Sequence, residues 1–181
     1  AKTLWDPDYD TERAIDEFLD GYYGAAAAPL REYIALVHER GSDPDEHVTI
    51  WAPPTHAMYR GDFVARASAL FDAAETAVAG DPVLLARVQT ARLPVWYLAL
   101  ARAAEPSLHT AAEGFEPDRD HVALLDRFVA VARRAGVSRV RESGSGALDP
   151  WAEGLRGRLP AREGTLRALI LTGDDYPGHP W

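Results

Sequence analysis

Hydrophobic residues recur at helical spacing in several segments of the chain. In the first segment the apolar positions follow the spacing i, i+3, i+4 and i+7, which lays one apolar stripe along a helix from about residue 11 to 22. These positions are Ile15, Phe18, Leu19 and Tyr22. A second segment has its stripe at Leu30, Tyr33, Ile34 and Val37 and is closed by Gly41. The pattern therefore predicts two consecutive helices.

Two more helices are predicted after a turn-rich stretch. Asp62 is expected to cap a strongly amphipathic helix that ends near Gly80. Its stripe consists of Phe63, Ala67, Leu70, Phe71, Ala74 and Val78. Asp81 followed by Pro82 has the form of an N-cap before proline at the first helical position. This pair opens a long helix to about residue 105, in which Pro94 predicts a kink.

The remaining chain gives a weaker pattern. A fifth helix is expected to begin at Asp118 or Asp120 and to end at Gly136. Asp149 and Pro150 repeat the cap-plus-proline signature of a short helix. The run VSRVRE is a candidate strand, TLRALILTG has no decided type, and HVTIW at 47–51 is predicted to be an extended loop. We predict an all-α bundle of five or more helices with minor extended segments, forming one domain over residues 1–181.

The acidic stretch before the first predicted helix allows two incompatible interpretations. Asp6, Asp8 and Asp10 alternate, as the ligands of a calcium-binding loop do. Glu17 stands where the last ligand of such a loop would fall, but the sixth position holds Thr11 instead of the glycine required there. A helix from about residue 11 would also carry Glu17 away from Asp6. We therefore interpret Asp10 as a helix N-cap and predict no metal site.

The composition excludes several classes of function. The chain has 181 residues, of which 47% are hydrophobic, and a formal net charge of −9. Such a protein lacks the basic surface that binds nucleic acids or anionic membranes, so we expect neither partner. It has no cysteine and therefore no thiolate ligand, and its six histidines lack the paired spacing of a zinc-hydrolase helix. We expect no metal and no cofactor.

The sequence contains no convincing catalytic residues. Glycosidase chemistry needs two carboxylates that face each other across a cleft, whereas the paired carboxylates of this chain are neighbours on predicted helix surfaces. The aromatic residues are more informative, because the proline-containing loop WAPPTHAMY holds Trp51, His56 and Tyr59. Rigid loops on a helical scaffold often carry binding residues, but such rings also pack in protein interiors. Ligand contact and packing both stay open for this loop.

The N-terminal part of the chain resembles a known family. Leu4 to Pro7 form a Leu-Trp-Asp-Pro step, and Phe18 to Gly24 include a Phe-Leu pair and a Gly-Tyr-Tyr-Gly stretch before the second predicted helix. This order of motifs is similar to a bacterial family of unknown function that is related to glycoside hydrolases with an α-glucuronidase-like or hexosaminidase-like barrel. With Ala-Pro-Pro at 52–54 and the two helices after it, the resemblance covers roughly residues 1–105.

The resemblance implies that this chain is the noncatalytic C-terminal helical domain of a carbohydrate-active glycoside hydrolase, joined to the catalytic barrel through residues 1–9. The barrel would carry the acid and the nucleophile, so no catalytic residue is expected here and the chain alone should not hydrolyse glycosides. The domain would brace the barrel, with loop 51–59 bordering its substrate cleft. Candidates for barrel packing or sugar contact are Trp5, Tyr22, Tyr23, Trp51, His56 and Tyr59. The alternative is an independent helical protein-interaction module.

Overall fold

The structure, a computed structural model, describes residues 10–44, 47–49, 52–105, 120–141 and 146–160. Within these ranges it contains six α-helices, two short 3-10 helices and no β-strand. The α-helices are α1 (Thr11–Tyr23), α2 (Ala27–Gly41), α3 (Phe63–Ala77), α4 (Pro82–Ala103), α5 (His121–Arg134) and α6 (Leu148–Arg156). The 3-10 helices are Gly24–Ala26 and Ala57–Tyr59. The prediction of an all-α bundle of five or more helices is confirmed.

Aspartate side chains cap the start of three helices. Asp10, Asp81 and Asp120 precede α1, α4 and α5, and each accepts hydrogen bonds of 2.9 or 3.0 Å from backbone N–H groups in the first turn. These N–H groups have no partner within the helix, so a carboxylate at this position stabilises the helix end. All three caps agree with the sequence pattern, and of the two alternatives for α5 the structure has Asp120.

The first helix decides the interpretation of the acidic stretch over the residues described. Glu17 lies inside α1, where its carboxylate accepts a hydrogen bond of 2.8 Å from Arg13 Nε. The two residues are four apart, the spacing that brings side chains together on one helix surface. The predicted helix is therefore confirmed from Thr11 onward. Asp6 and Asp8 lie outside the described residues.

Two other predicted caps are wrong. Asp62 stands at the N-cap position of α3 but caps no backbone N–H, because its carboxylate pairs with Arg40 of α2. α6 begins at Leu148, one residue before Asp149, whose carboxylate lies 2.7 Å from Arg133 Nη2. In both cases the carboxylate forms an ion pair with an arginine on a neighbouring helix.

Extended pairing is limited to one antiparallel bridge within the described residues, between Arg139 and Ala147. The run VSRVRE therefore forms no strand over its described part. Gly146 is required beside the bridge, since a Cβ there would lie 2.4 Å from the Arg141 carbonyl oxygen. Residues 47–49 carry no helix or strand, as expected of a loop. The run TLRALILTG lies outside the described residues.

Two groups of buried residues form the interior, and α4 contributes to both. The first group packs α1 to α4 together and includes Leu19, Leu30, Phe63, Phe71, Val88 and Val95. The second lies between α4, α5 and α6 and includes Trp96, Leu100, Leu125, Phe128, Trp151 and Leu155. Because α4 is covered on two sides, its apolar residues do not form a single stripe. The helix continues through Pro94, which is exposed.

The four N-terminal helices run alternately up and down, which gives the bundle two ends. Gly24 and Leu84 meet at one end, where a Cβ on the glycine would lie 3.0 Å from the leucine Cδ1. We call this the groove end; it contains the turns at 24–26 and 78–81. At the other end Arg102 of α4 donates a hydrogen bond to the Tyr59 carbonyl. We call this the loop end; it contains the described loop residues 42–44, 47–49 and 52–62.

Candidate functional site

The four described candidate residues lie at opposite ends of α4. The Tyr59 carbonyl accepts from Arg102 at the loop end, and the Tyr22 carbonyl accepts from Arg87 Nη1 at 2.8 Å at the groove end. These arginines are about four helical turns apart on α4, or roughly 22 Å. His56 belongs with Tyr59, and Tyr23 belongs with Tyr22. The candidates therefore form two separate surfaces and not one site.

At the loop end, the His56 side chain stabilises the conformation of its own loop. Its Nδ1 accepts a hydrogen bond of 3.2 Å from the Met58 backbone N–H, which starts the 3-10 helix Ala57–Tyr59. Nδ1 must therefore be unprotonated, so Nε2 carries the proton and donates to the His47 carbonyl at 3.3 Å. Both ring nitrogens contact backbone groups of the loop. This arrangement assigns His56 a role in holding the loop conformation.

Tyr59 packs on the end of the bundle. Its half-buried ring meets the buried ring of Phe63 edge to face, with centroids 5.5 Å apart. Its carbonyl oxygen accepts from Arg102, a buried guanidinium near the last turn of α4. The described part of the loop is thus fixed to α3 and α4. Trp51 and Trp5 lie outside the described residues, and their predicted roles stay predictions.

The groove end carries aromatic rings that the bundle does not cover. Phe18 and Tyr22 are 58% and 41% exposed, and their rings stack with centroids 5.3 Å apart. Tyr23 meets Tyr22 edge-on at 4.9 Å. Burial raises the pKa of the Tyr23 hydroxyl, an effect that Tyr22 increases and Arg87 opposes. The predicted single stripe of α1 is therefore split, because its other two members face the interior and these two rings face solvent.

Tyr22 and Tyr23 border a groove of about 540 Å³ between α1, α4 and the end of α5. Its wall is mostly apolar and includes Val83, which is 59% exposed, and Ala86. The guanidinium of Arg87 lies 4.3 Å from the centre of the Tyr22 ring. Arg134 Nη2 reaches in from α5 and bonds Gln89 Oε1 at 2.7 Å. No aspartate or glutamate is among the described residues that line the groove.

Sequence reasoning did not find the groove. Arg87 and Arg134 are far apart along the chain, and an arginine in the last turn of a helix is already explained by the helix dipole. Val83 follows the capping pair of α4 and carries no pattern of its own. The one available signal was the presence of Phe18, Tyr22 and Tyr23 on one short helix, since three large rings there exceed what a single stripe can bury.

The described part of the chain gives no evidence for a metal site, a carboxylate pair across a cleft or a membrane-spanning helix. No group of three or more histidine, aspartate or glutamate side chains there is arranged to hold a metal ion. Asp16 and Asp20 form one of the carboxylate pairs on a helix surface. The Asp16 carboxylate forms an ion pair with Arg31 Nε at 2.8 Å instead of facing a cleft. None of the described helices has the length and apolar character needed to cross a membrane.

Comparison with known proteins gives no relative. No family model, no curated protein and no solved structure matches this chain.

Proposed function

We propose that this chain is a noncatalytic helical domain that follows the catalytic barrel of a glycoside hydrolase and braces that barrel through the loop end. The support from sequence is the motif order from Leu4 to Pro7 and from Phe18 to Gly24. The single structural observation that carries the proposed orientation is the direction of α1. The domain contributes packing surface to the enzyme and leaves the acid and nucleophile to the barrel.

The direction of α1 favours contact at the loop end. The polypeptide enters α1 at Asp10 and runs toward the groove end, where the helix stops at Tyr23. A helix of 13 residues is about 20 Å long, so the preceding chain joins the bundle well away from the groove. The shortest connection through residues 1–9 leads to a partner beside the loop end. A barrel on that side would meet the loop that holds His56 and Tyr59.

The loop end has the properties of a preformed contact surface. Hydrogen bonds of His56 and ring contacts of Tyr59 fix the loop before any partner arrives. A surface that is already ordered loses less conformational freedom on binding, which favours association. Val48 is 42% exposed in the same loop and offers an apolar side chain to a partner.

Two exposed valines provide a matched test of this orientation. The barrel encoded upstream of Ala1 would be produced separately and its binding to this chain measured by calorimetry. We expect Val48→Asp at the loop end to weaken binding at least tenfold, because a carboxylate would be buried without a partner, and Val83→Asp at the groove end to leave it unchanged. An upstream coding sequence without a barrel, or equal effects of the two variants, would contradict the proposal.

The exposed groove favours the alternative, an independent helical interaction module. In that case the partner would bind the surface formed by Tyr22 and Val83, and Val83→Asp would be the damaging variant. The two functions therefore give opposite orders of effect in the same experiment.

For the proposed function the isolated chain is expected to release no aryl alcohol from aryl glycosides. Turnover that survives repurification and is lost in a single carboxylate variant would contradict it.

A further inference from the structure

We propose that the groove between α1, α4 and α5 binds a segment of the same chain, residues 165–176, whose sequence is TLRALILTGDDY. Leucine and isoleucine side chains of this segment would cover the apolar wall, and Asp174 and Asp175 would pair with Arg87 and Arg134. The proposed interaction is independent of the barrel and of the loop end.

The groove carries positive charge on an acidic protein. The sequence contains 28 acidic against 19 basic residues, and eight arginines of the described chain form ion pairs with carboxylates. They are Arg13, Arg31, Arg40, Arg66, Arg92, Arg127, Arg133 and Arg156. Arg87 and Arg134 instead bond a carbonyl and an amide oxygen. Within the described residues the groove thus presents two cations beside an apolar wall, which suits a ligand with an apolar part and adjacent carboxylates.

The proposed segment has that chemistry in a compact order. Its apolar residues are Leu166, Leu169, Ile170 and Leu171. They precede Asp174 and Asp175 by only a few positions. Burial of large aliphatic side chains is the main driving force for association between protein surfaces. The exposed side chains of Tyr22 and Val83 in the groove provide the complementary apolar area.

The path of the chain allows the segment to reach the groove. Arg156 at the end of α6 pairs with Asp126 in the first half of α5, so the polypeptide leaves α6 beside that helix. Arg134 lies about two turns further along α5, or roughly 12 Å. The 14 residue-to-residue steps from Pro160 to Asp174 can span up to about 46 Å when extended. Attachment to the same chain also gives the segment an effective concentration of the order of millimolar.

The absence of cysteine makes the proposal testable with a single label. Gly173→Cys in the full chain would carry a nitroxide, and the amide resonances of the ¹⁵N-labelled protein would be compared before and after reduction of the label. We expect the signals of Tyr22, Val83 and Arg134 to be lost in the oxidised state, with those of Val48 and Tyr59 retained. Groove signals that keep their intensity would overturn the proposal.

Neighbouring arginines supply the control for charge pairing. Arg134→Gln is expected to restore the groove signals, whereas Arg133→Gln, which removes the same charge from a side chain that bonds Asp149, should not. Equal behaviour of the two variants would contradict pairing at the groove. The double variant Asp174→Asn with Asp175→Asn should restore the signals as Arg134→Gln does. If it leaves them quenched, the assigned pairing is wrong.

A mixing experiment identifies which copy supplies the segment. Protein that is ¹⁵N-labelled but carries no nitroxide would be mixed with protein that carries the nitroxide at Gly173→Cys but no ¹⁵N. We expect no loss of groove signals in this mixture, since the tethered segment of each chain occupies its own groove. Loss that grows with protein concentration would mean that the segment binds a second copy, and would overturn the intramolecular proposal.

Discussion

Two aromatic clusters of similar local geometry have opposite exposure in this protein. The exposed cluster consists of Phe18 and Tyr22 with the half-buried Tyr23, and the buried cluster consists of Trp96, Phe128 and Trp151 with the half-buried Tyr97. Each contains rings with centroids 5.3 Å apart, Phe18 with Tyr22 and Phe128 with Trp151. Each also has a guanidinium over a ring, at 4.3 Å for Arg87 and 4.8 Å for Arg127. Contact between aromatic side chains therefore does not distinguish a core from a surface.

The charge partners of the arginines do distinguish the two clusters. Arg92, which lies 5.3 Å from the Trp96 ring centre, is only 3% exposed and bonds Glu75 at 2.9 Å and Asp72 at 2.6 Å. Arg127 pairs with the same glutamate. The buried cluster is thus enclosed by neutralised cations, as a stable interior requires. The exposed cluster has Arg87 without a carboxylate among the described residues, which suits a surface that receives a partner.

The largest expected difference between the clusters is in how much stability the protein loses when a ring is removed. Trp96→Ala should lower the free energy of unfolding by about 3–5 kcal/mol, because the indole is 1% exposed and its removal leaves a cavity. Phe18→Ala should cost less than about 0.5 kcal/mol, as expected of a side chain mostly in solvent. Urea unfolding of both variants measures the difference. Comparable losses would mean that the exposed cluster also belongs to the core.

A smaller difference is expected for the arginines. Arg92→Gln should destabilise by about 3 kcal/mol, because it leaves the largely buried Glu75 with one fewer cation. Arg87→Gln should cost less than about 1 kcal/mol, the size of a solvent-exposed cation–π contact. Unfolding midpoints at fixed pH test this order. A larger effect of Arg87→Gln than of Arg92→Gln would contradict this order.

The start of α4 beside the exposed cluster is expected to depend on its cap. Asp81→Ala should lower stability by about 1 kcal/mol, since two backbone N–H groups lose their acceptor. Asp62→Ala removes an exposed ion pair instead, so its effect should be smaller and should disappear in high salt. Unfolding in low and high salt separates the two. Salt dependence of the Asp81→Ala effect would contradict the capping role.

The smallest expected effect concerns alkaline pH. Burial raises the pKa of Tyr23 above its ordinary value of 10.0, so the folded state binds the hydroxyl proton more tightly than the unfolded state does. The resulting stability is fully present below the unfolded pKa and is lost as pH rises through the folded pKa. Tyr23→Phe should reduce the loss of stability above about pH 10. An unchanged slope of unfolding free energy against pH would contradict this assignment.

Local chemistry made most helices predictable from the sequence. A cap acts within one turn, so Asp10 or Asp81 and the residues that follow contain all that is needed to locate a helix start. The stripe of α3 was confirmed because nearly all its members meet the first buried group. The same reasoning failed for Asp62 and Asp149, whose carboxylates are taken by arginines from other helices.

The groove could be found only in the tertiary structure. The spacing of α1 groups Phe18 and Tyr22 with the apolar positions that became buried, but helical periodicity gives only the side of the helix on which a residue lies. Whether another helix covers that side depends on how the bundle is packed. Likewise, Arg87 and Arg134 line the same groove because the end of α5 lies beside the first half of α4, where Arg134 bonds Gln89. The sequence therefore determined the helices and their ends, because these depend on contacts within a turn or two. Packing between distant segments decided which rings stay exposed and which charges meet.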